Sequence, residues 1–174
     1  MLNQLLPKLP LIQSWIDATL ANHAASARSV QQLGFSRLPK YFSSSFLNNA
    51  KCVSISSVPI PPLSAIGLAE FSDFEKGQYD GITYKDTYFL RSTRAHDEAL
   101  HFHELVHVVQ WQHLGAEKFL TAYALELQRF DYRGNRLEIM AYKHQANFEN
   151  NVAPYDVEKD VRGELDALLP LIFI

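Results

Sequence analysis

The sequence predicts an α+β protein: a small, mainly antiparallel sheet followed by a helical part. Three observations predict it. β-Branched and aromatic runs concentrate between residues 51 and 92, and apolar residues recur at helical spacing from Ser92 onward. No repeat, low-complexity tract or linker divides the 174 residues, and a hydrophobic content of 47% suffices for one core, so a single domain over 1–174 is expected.

The first element expected is a helix from Leu11 to Gln32. Ile12, Trp15, Ile16, Thr19, Leu20 and Ala24 supply the period, and Gly34 the stop. Residues 35–49 mix Ser, Asn and aromatics without a period and are expected to form loop or short helix. Val53, Ile55 and Val58 mark a strand over Lys51–Ile60, ended by the prolines at 59, 61 and 62. Ala65–Phe71 is a second strand candidate. Asp80–Ser92 has two strand-forming runs about Lys85-Asp86, a hairpin whose second arm is Thr87–Arg91.

The next helix should run from about Ala95 to Leu114, with Ser92 or Thr93 as N-cap and Gly115 as terminator. Its apolar residues lie on almost every side, so it is expected to be central and buried. Helices at about Glu117–Arg129, Arg136–Asn147 and Tyr155–Leu169 complete the chain.

A net charge of -3 lacks the basic footprint with which nucleic-acid binders neutralise phosphates. Cys52, the single cysteine, cannot close an internal disulfide; a reducing, cytoplasmic setting is expected. The apolar N-terminus lacks a basic leading segment and is interrupted by Pro7, Lys8 and Pro10, so it is taken as part of the mature chain. No window reaches the roughly 20 apolar residues of a membrane span, and no membrane partner is expected.

Chemistry enters at His103-Glu104-Leu105-Val106-His107. Residues four apart on a helix differ by about 40° and about 6 Å along the axis, so both imidazoles can reach one metal ion. Glu104, one residue on, can reach a metal-bound water and take its proton. A chance occurrence of this pattern has a probability of roughly one to two per cent. Two histidines and a glutamate within an apolar helix would also be costly without a shared partner.

A catalytic zinc requires a third protein ligand, and two candidates compete. His113 has the spacing of the metzincin consensus HExxHxxGxxH, but Gln110 stands where that consensus has its turning glycine. On an unbroken helix His113 lies about 240° round from His107. Glu138 is the second candidate, on a helix that can return antiparallel, with the small Ala141 permitting close approach and Leu137 and Met140 flanking the site.

HELVHVVQ, preceded by TYFLRS and followed by NRLEIMAY, resembles small bacterial metallopeptidases of the gluzincin type, with HELxHVVQ and a downstream ExxA glutamate. The resemblance spans roughly residues 80–145 and implies a zincin-like fold acting on a peptide or protein substrate. It implies Zn2+ held by His103, His107 and Glu138, with Glu104 as base. It also implies that Thr87–Arg91 lines the cleft rim, where an extended peptide would add as a strand. Many relatives carry aspartate one turn after the ligand glutamate, where this chain has Tyr142.

For stabilising the transition state, Tyr132, Arg133 and Tyr142 lie within chain reach; Tyr142, one turn from Glu138, is ranked first. His96, His101 and His144 have no ligand spacing. The alternatives to a gluzincin-like peptidase are a site completed by His113, a metal-binding module without proteolysis, and a latent protease. Retention of Glu104 favours activity over mere binding, and the apolar tail LLPLIFI must be buried, in the core or over the cleft.

Overall fold

Leu9, Ile12 and Ile16 repeat at three and four residues, and helix α2 (Leu9–His23) buries that stripe, extending a first helical turn, α1 (Leu2–Leu5). The computed structural model describes residues 2–173. The expected helix to Gln32 stops early: Ser26 donates to the carbonyl of His23, and Ala27 turns extended. Strand β1 (Arg28–Ser29) then pairs antiparallel with β2 (Lys51–Ile55). Gly34 still punctuates the chain, in the left-handed region at φ 75°. Helix α3 (Ser44–Asn49) follows, its N-terminus capped by Ser43.

Strands β3 (Gly81–Tyr84) and β4 (Thr87–Arg91) form the expected hairpin, with Lys85 at φ 58° in the turn. The sheet order is β1-β2-β4-β3, and the central β2–β4 pairing is parallel. The sheet is therefore mixed rather than mainly antiparallel. The 25 residues of segment 56–80 supply the long crossover that parallel neighbours need. Within it Ala65–Phe71 is not a strand. Gly67 sits at φ 87°, and the amides of Ile66, Gly67 and Leu68 bond back to Pro62, Ser64 and Leu63, so local turns use the groups a ladder would require. The short helices Ala69–Phe71 (3-10) and α4 (Ser72–Glu75) follow.

Helix α5 (Glu98–Gly134) begins three residues later than the sequence suggests, because Asp97, not Ser92 or Thr93, caps it by accepting from the amide of Leu100. It breaks at Gly115 (φ 72°, ψ 166°), a conformation open in practice only to glycine, and again at Asp131 (φ 60°, ψ -171°). Its first segment packs on the sheet: Tyr88 meets His101 on that side, while Phe89 on the other face meets His23 of α2. The sheet is thus sandwiched between α2 and α5.

Asn135 and Arg136 fix the start of α6 (Arg136–Glu149). Asn135 caps it at the amide of Leu137 and donates to the carbonyl of Tyr123; Arg136 makes two 2.7 Å bonds to the fully buried Glu126. α6 returns along α5, with Leu137 and Ala141 fully buried at the contact. α7 (Val157–Ile172), capped by Asp156, covers α5 through Val157, Val161 and Leu165. One buried cluster runs from Leu5 to Ile172. No described helix is long and apolar enough to cross a membrane.

Candidate metal centre

One turn of α5 and the first turn of α6 meet at three side chains. His103 Nε2 and His107 Nε2 are 3.1 Å apart, and each lies 3.4 Å from an oxygen of Glu138, Oε2 and Oε1 respectively. The α5 helix supplies the imidazole pair by its local geometry, whereas Glu138 arrives because Asn135 and the Glu126–Arg136 pair set the start of α6. His113 does not join them; it bonds Asp166 of α7 at 2.7 Å, on another side of the helix.

The cluster can hold a divalent metal ion. Tetrahedral coordination with bonds of about 2.0–2.1 Å separates neighbouring ligands by about 3.3–3.4 Å, against 3.1 Å between the imidazoles and 3.4 Å from each imidazole to a different oxygen of Glu138. Glu138 Oε2 is buried with no hydrogen-bond partner among the described residues, a state that costs free energy unless something binds it. Two imidazole nitrogens turned to one another and to a carboxylate require a cation between them, a proton or a metal. Without metal, burial would depress the His107 pKa, but the Glu138 charge outweighs it and lifts it to about 9. Burial likewise opposes ionisation of Glu138, yet the histidines hold its carboxyl far below the usual range.

The supporting contacts were not legible in the sequence. Gln110, one turn after His107, accepts at 2.8 Å from His107 Nδ1 and donates at 3.0 Å to the Leu137 carbonyl. That acceptor keeps the proton on Nδ1 and leaves Nε2 free as a ligand. The signals in the sequence were the i, i+3 spacing of His107 and Gln110 and the place of Gln110 at the end of HELVHVVQ, neither of which gave it this contact. Tyr123 donates to Glu138 Oε1 at 2.6 Å. His103 Nδ1 is buried without a partner, and Tyr142 packs its ring against His103, centroids 4.5 Å apart.

Glu104 stands outside the ligand triangle and against the sheet. Its Oε2 accepts from Thr83 at 2.6 Å, and a Cβ on Gly81 would overlap its carboxylate. Burial raises its pKa, opposed by the charges of His103 and His107 and by the Thr83 bond. Glu104, His103, His107 and Glu138 are each 3–5% exposed. They form the polar wall of an otherwise apolar cavity of about 110 Å³, which Ile82, Phe71, Trp111 and Phe119 also line.

Residues from α1, α2 and segment 56–80, among them Leu5, Ile12 and Leu63, roof this cavity. The C-terminal tail does not. Ile172 is buried instead, with its carbonyl bonded to Arg129, and the Leu171 carbonyl accepts from Arg136. Of the three residues considered for the transition state, Tyr132 lines the cavity, Arg133 is exposed, and Tyr142 is about half exposed.

The strand beside the site is not the one expected. β4 lies between β2 and β3, so Thr87–Arg91 has no free edge, and β3 is the outer strand. The Arg91 amide bonds the Asp80 carbonyl, so alternation turns Gly81 and Thr83 outward; Trp111 Nε1 already donates to the Thr83 carbonyl at 3.1 Å. Of the other histidines, His101 bonds Tyr88 and the Ala95 carbonyl, His144 bonds Tyr155 and Glu164, and His96 is exposed. No family model matches the chain, and no curated protein or solved structure does either.

Proposed function

We propose that this protein is a zincin-like, zinc-dependent peptidase. The observation that carries the reading is the convergence of His103, His107 and Glu138 at tetrahedral ligand spacing, with a fourth ionisable residue, Glu104, on the same cavity wall but outside the triangle. Two imidazoles and a carboxylate are a zinc donor set with one position left for water or substrate. A zinc ion held there lowers the pKa of a coordinated water toward about 7 and polarises a peptide carbonyl.

The chain's own groups do the rest. Glu104 accepts the proton of the attacking water at its carboxylate and passes it to the departing amine. Burial prepares it by raising its affinity for that proton, and the Thr83 hydroxyl fixes the carboxylate through Oε2. Tyr132, on the cavity wall, donates to the oxygen that gains charge, and Tyr142, packed on the His103 ring, stands beside the imidazole pair. The free groups of Gly81 and the amide of Thr83 offer an extended peptide two residues of strand edge on β3. The apolar cavity receives a side chain of that peptide. Because the cluster is buried, substrate entry requires the roof of α1, α2 and segment 56–80 to open.

The test is metal content beside cleavage of a mixed peptide library. About one zinc per chain is expected, lost in His107→Ala and Glu138→Ala. Glu104→Gln should keep its zinc and lose cleavage by about a hundredfold or more. Zinc retained in Glu138→Ala removes the proposed third ligand. Zinc bound with no peptide cleaved, in native protein and Glu104→Gln alike, makes the protein a binding module instead.

A further inference from the structure

The ligand carboxylate has two oxygens and only one of them is unpartnered. Glu138 straddles the imidazole pair, Oε1 at 3.4 Å from His107 and Oε2 at 3.4 Å from His103, so nothing in its own position selects one oxygen for a metal. The hydroxyl of Tyr123, 2.6 Å from Oε1, breaks that equivalence, while Oε2 is buried with no hydrogen bond. We propose that Tyr123 is a positioning residue of the metal centre: it holds Oε1, so that Glu138 presents Oε2 alone to a divalent ion between His103 and His107. This rests on the metal-centre reading above and adds the coordination mode to it.

The consequence is chemical. A carboxylate bound through one oxygen would give three protein ligands and, with one water, a four-coordinate ion, whereas both oxygens with that same water would make it five-coordinate. Tyr123 is suited to the task because toward a carboxylate its phenol acts as the donor, and its hydroxyl lies 2.6 Å from Oε1. Its orientation is built in. Phe119 stacks on the ring at 5.7 Å, Phe74 meets it edge-on at 5.9 Å, and the Tyr123 carbonyl accepts from Asn135, the residue that caps α6. Donor and carboxylate are therefore tied to each other through the helix start that carries Glu138.

Cobalt substitution tests this without reference to activity, since the visible bands of Co2+ are intense in four-coordinate sites and weak in five-coordinate ones. The native protein should show the intense spectrum. Tyr123→Phe, which removes only the hydroxyl, should show the weak one and bind metal about tenfold less tightly in competition with a chelator. Tyr155→Phe, which removes a phenol hydroxyl that bonds His144 away from the site, should leave the spectrum intense. An unchanged spectrum and affinity in Tyr123→Phe, or equal changes in both variants, would overturn the proposal. X-ray absorption of the native zinc protein decides it with no variant: both carboxylate oxygens at bonding distance sinks it. Absence of stoichiometric zinc or cobalt in the native protein is a different result, and refutes the metal centre itself.

Discussion

Gly81→Ala isolates the placement of Glu104 from the metal ligands. The backbone at Gly81 has ordinary extended geometry, so alanine would by itself stabilise the strand by about 0.4–1 kcal/mol, through the unfolded chain. The close approach reverses that sign. A Cβ there would lie 2.8 Å from Glu104 Cδ and 2.8 Å from Leu90 Cδ2, and closer still to Glu104 Oε1. Those carbon contacts are about 0.7 Å short of the optimum near 3.5 Å. Leu90 is fully buried and Thr83 holds Oε2, so neither neighbour can yield freely. Overpacking of this kind costs about 1–3 kcal/mol, and displacing a reacting carboxylate by about 1 Å costs about a hundredfold in rate. Zinc content should stay near one per chain, because the ligands are not touched. Urea unfolding, metal analysis and peptide cleavage on the one variant read the three quantities separately. Cleavage within about threefold of native, with stability unchanged, would show that Glu104 does not need its seat against β3.

Gln110→Leu removes both the acceptor for His107 Nδ1 and the donor to the Leu137 carbonyl. Zinc affinity should fall about ten- to hundredfold in a chelator competition, and an unchanged affinity would deny Gln110 its orienting part. Arg136→Ala takes from the buried Glu126 its two side-chain bonds, with the charge of Arg129 still acting on it, and should cost about 3 kcal/mol in urea unfolding; a loss under about 1 kcal/mol would mean that α6 is held by packing alone. Removing metal should change the sign of the pH response. In the metal-free protein the His107 pKa is raised from 6.5 to about 9, so its contribution to stability is complete below about pH 6.5 and lost as pH rises to about 9. Glu138, with its carboxyl pKa lowered from 4.5, contributes above about pH 4.5 and loses that contribution only in acid. Melting of chelator-treated protein should therefore weaken from pH 6 to 9, whereas metal-loaded protein should not, since binding needs neutral imidazole and strengthens with pH. Parallel declines with and without chelator would contradict the assignment.

The hairpin arm Thr87–Arg91 and the helix over residues 98–114 were legible because their signals are local: alternation about a two-residue turn, and an apolar period closed by Gly115. The two-residue strand β1 was not, since Arg28 and Ser29 become a strand only by pairing with Cys52 and Lys51. Ala65–Phe71 misled for the converse reason. Its composition suits a strand, but Gly67 and the preceding prolines let its amides bond within the segment, and no neighbouring strand claims it. The end of a helix near Arg129 was legible, but that Asp131 would take the breaking conformation was not, because glycine is the residue that ordinarily occupies it.

By itself the sequence determined that His103 and His107 share one face of a buried helix with Glu104 beside them, because a spacing of four on an α-helix fixes those directions whatever surrounds it. It also singled out Glu138 as the returning carboxylate and set the α+β order of the elements. Only the tertiary structure decided that Glu138 meets the imidazoles and His113 does not, that Gln110 bonds His107 and Tyr123 bonds Glu138, and that β3 rather than β4 is the strand at the edge. These contacts join groups on different elements or different turns, and spacing along a chain sets a direction within an element but not the distance between two of them.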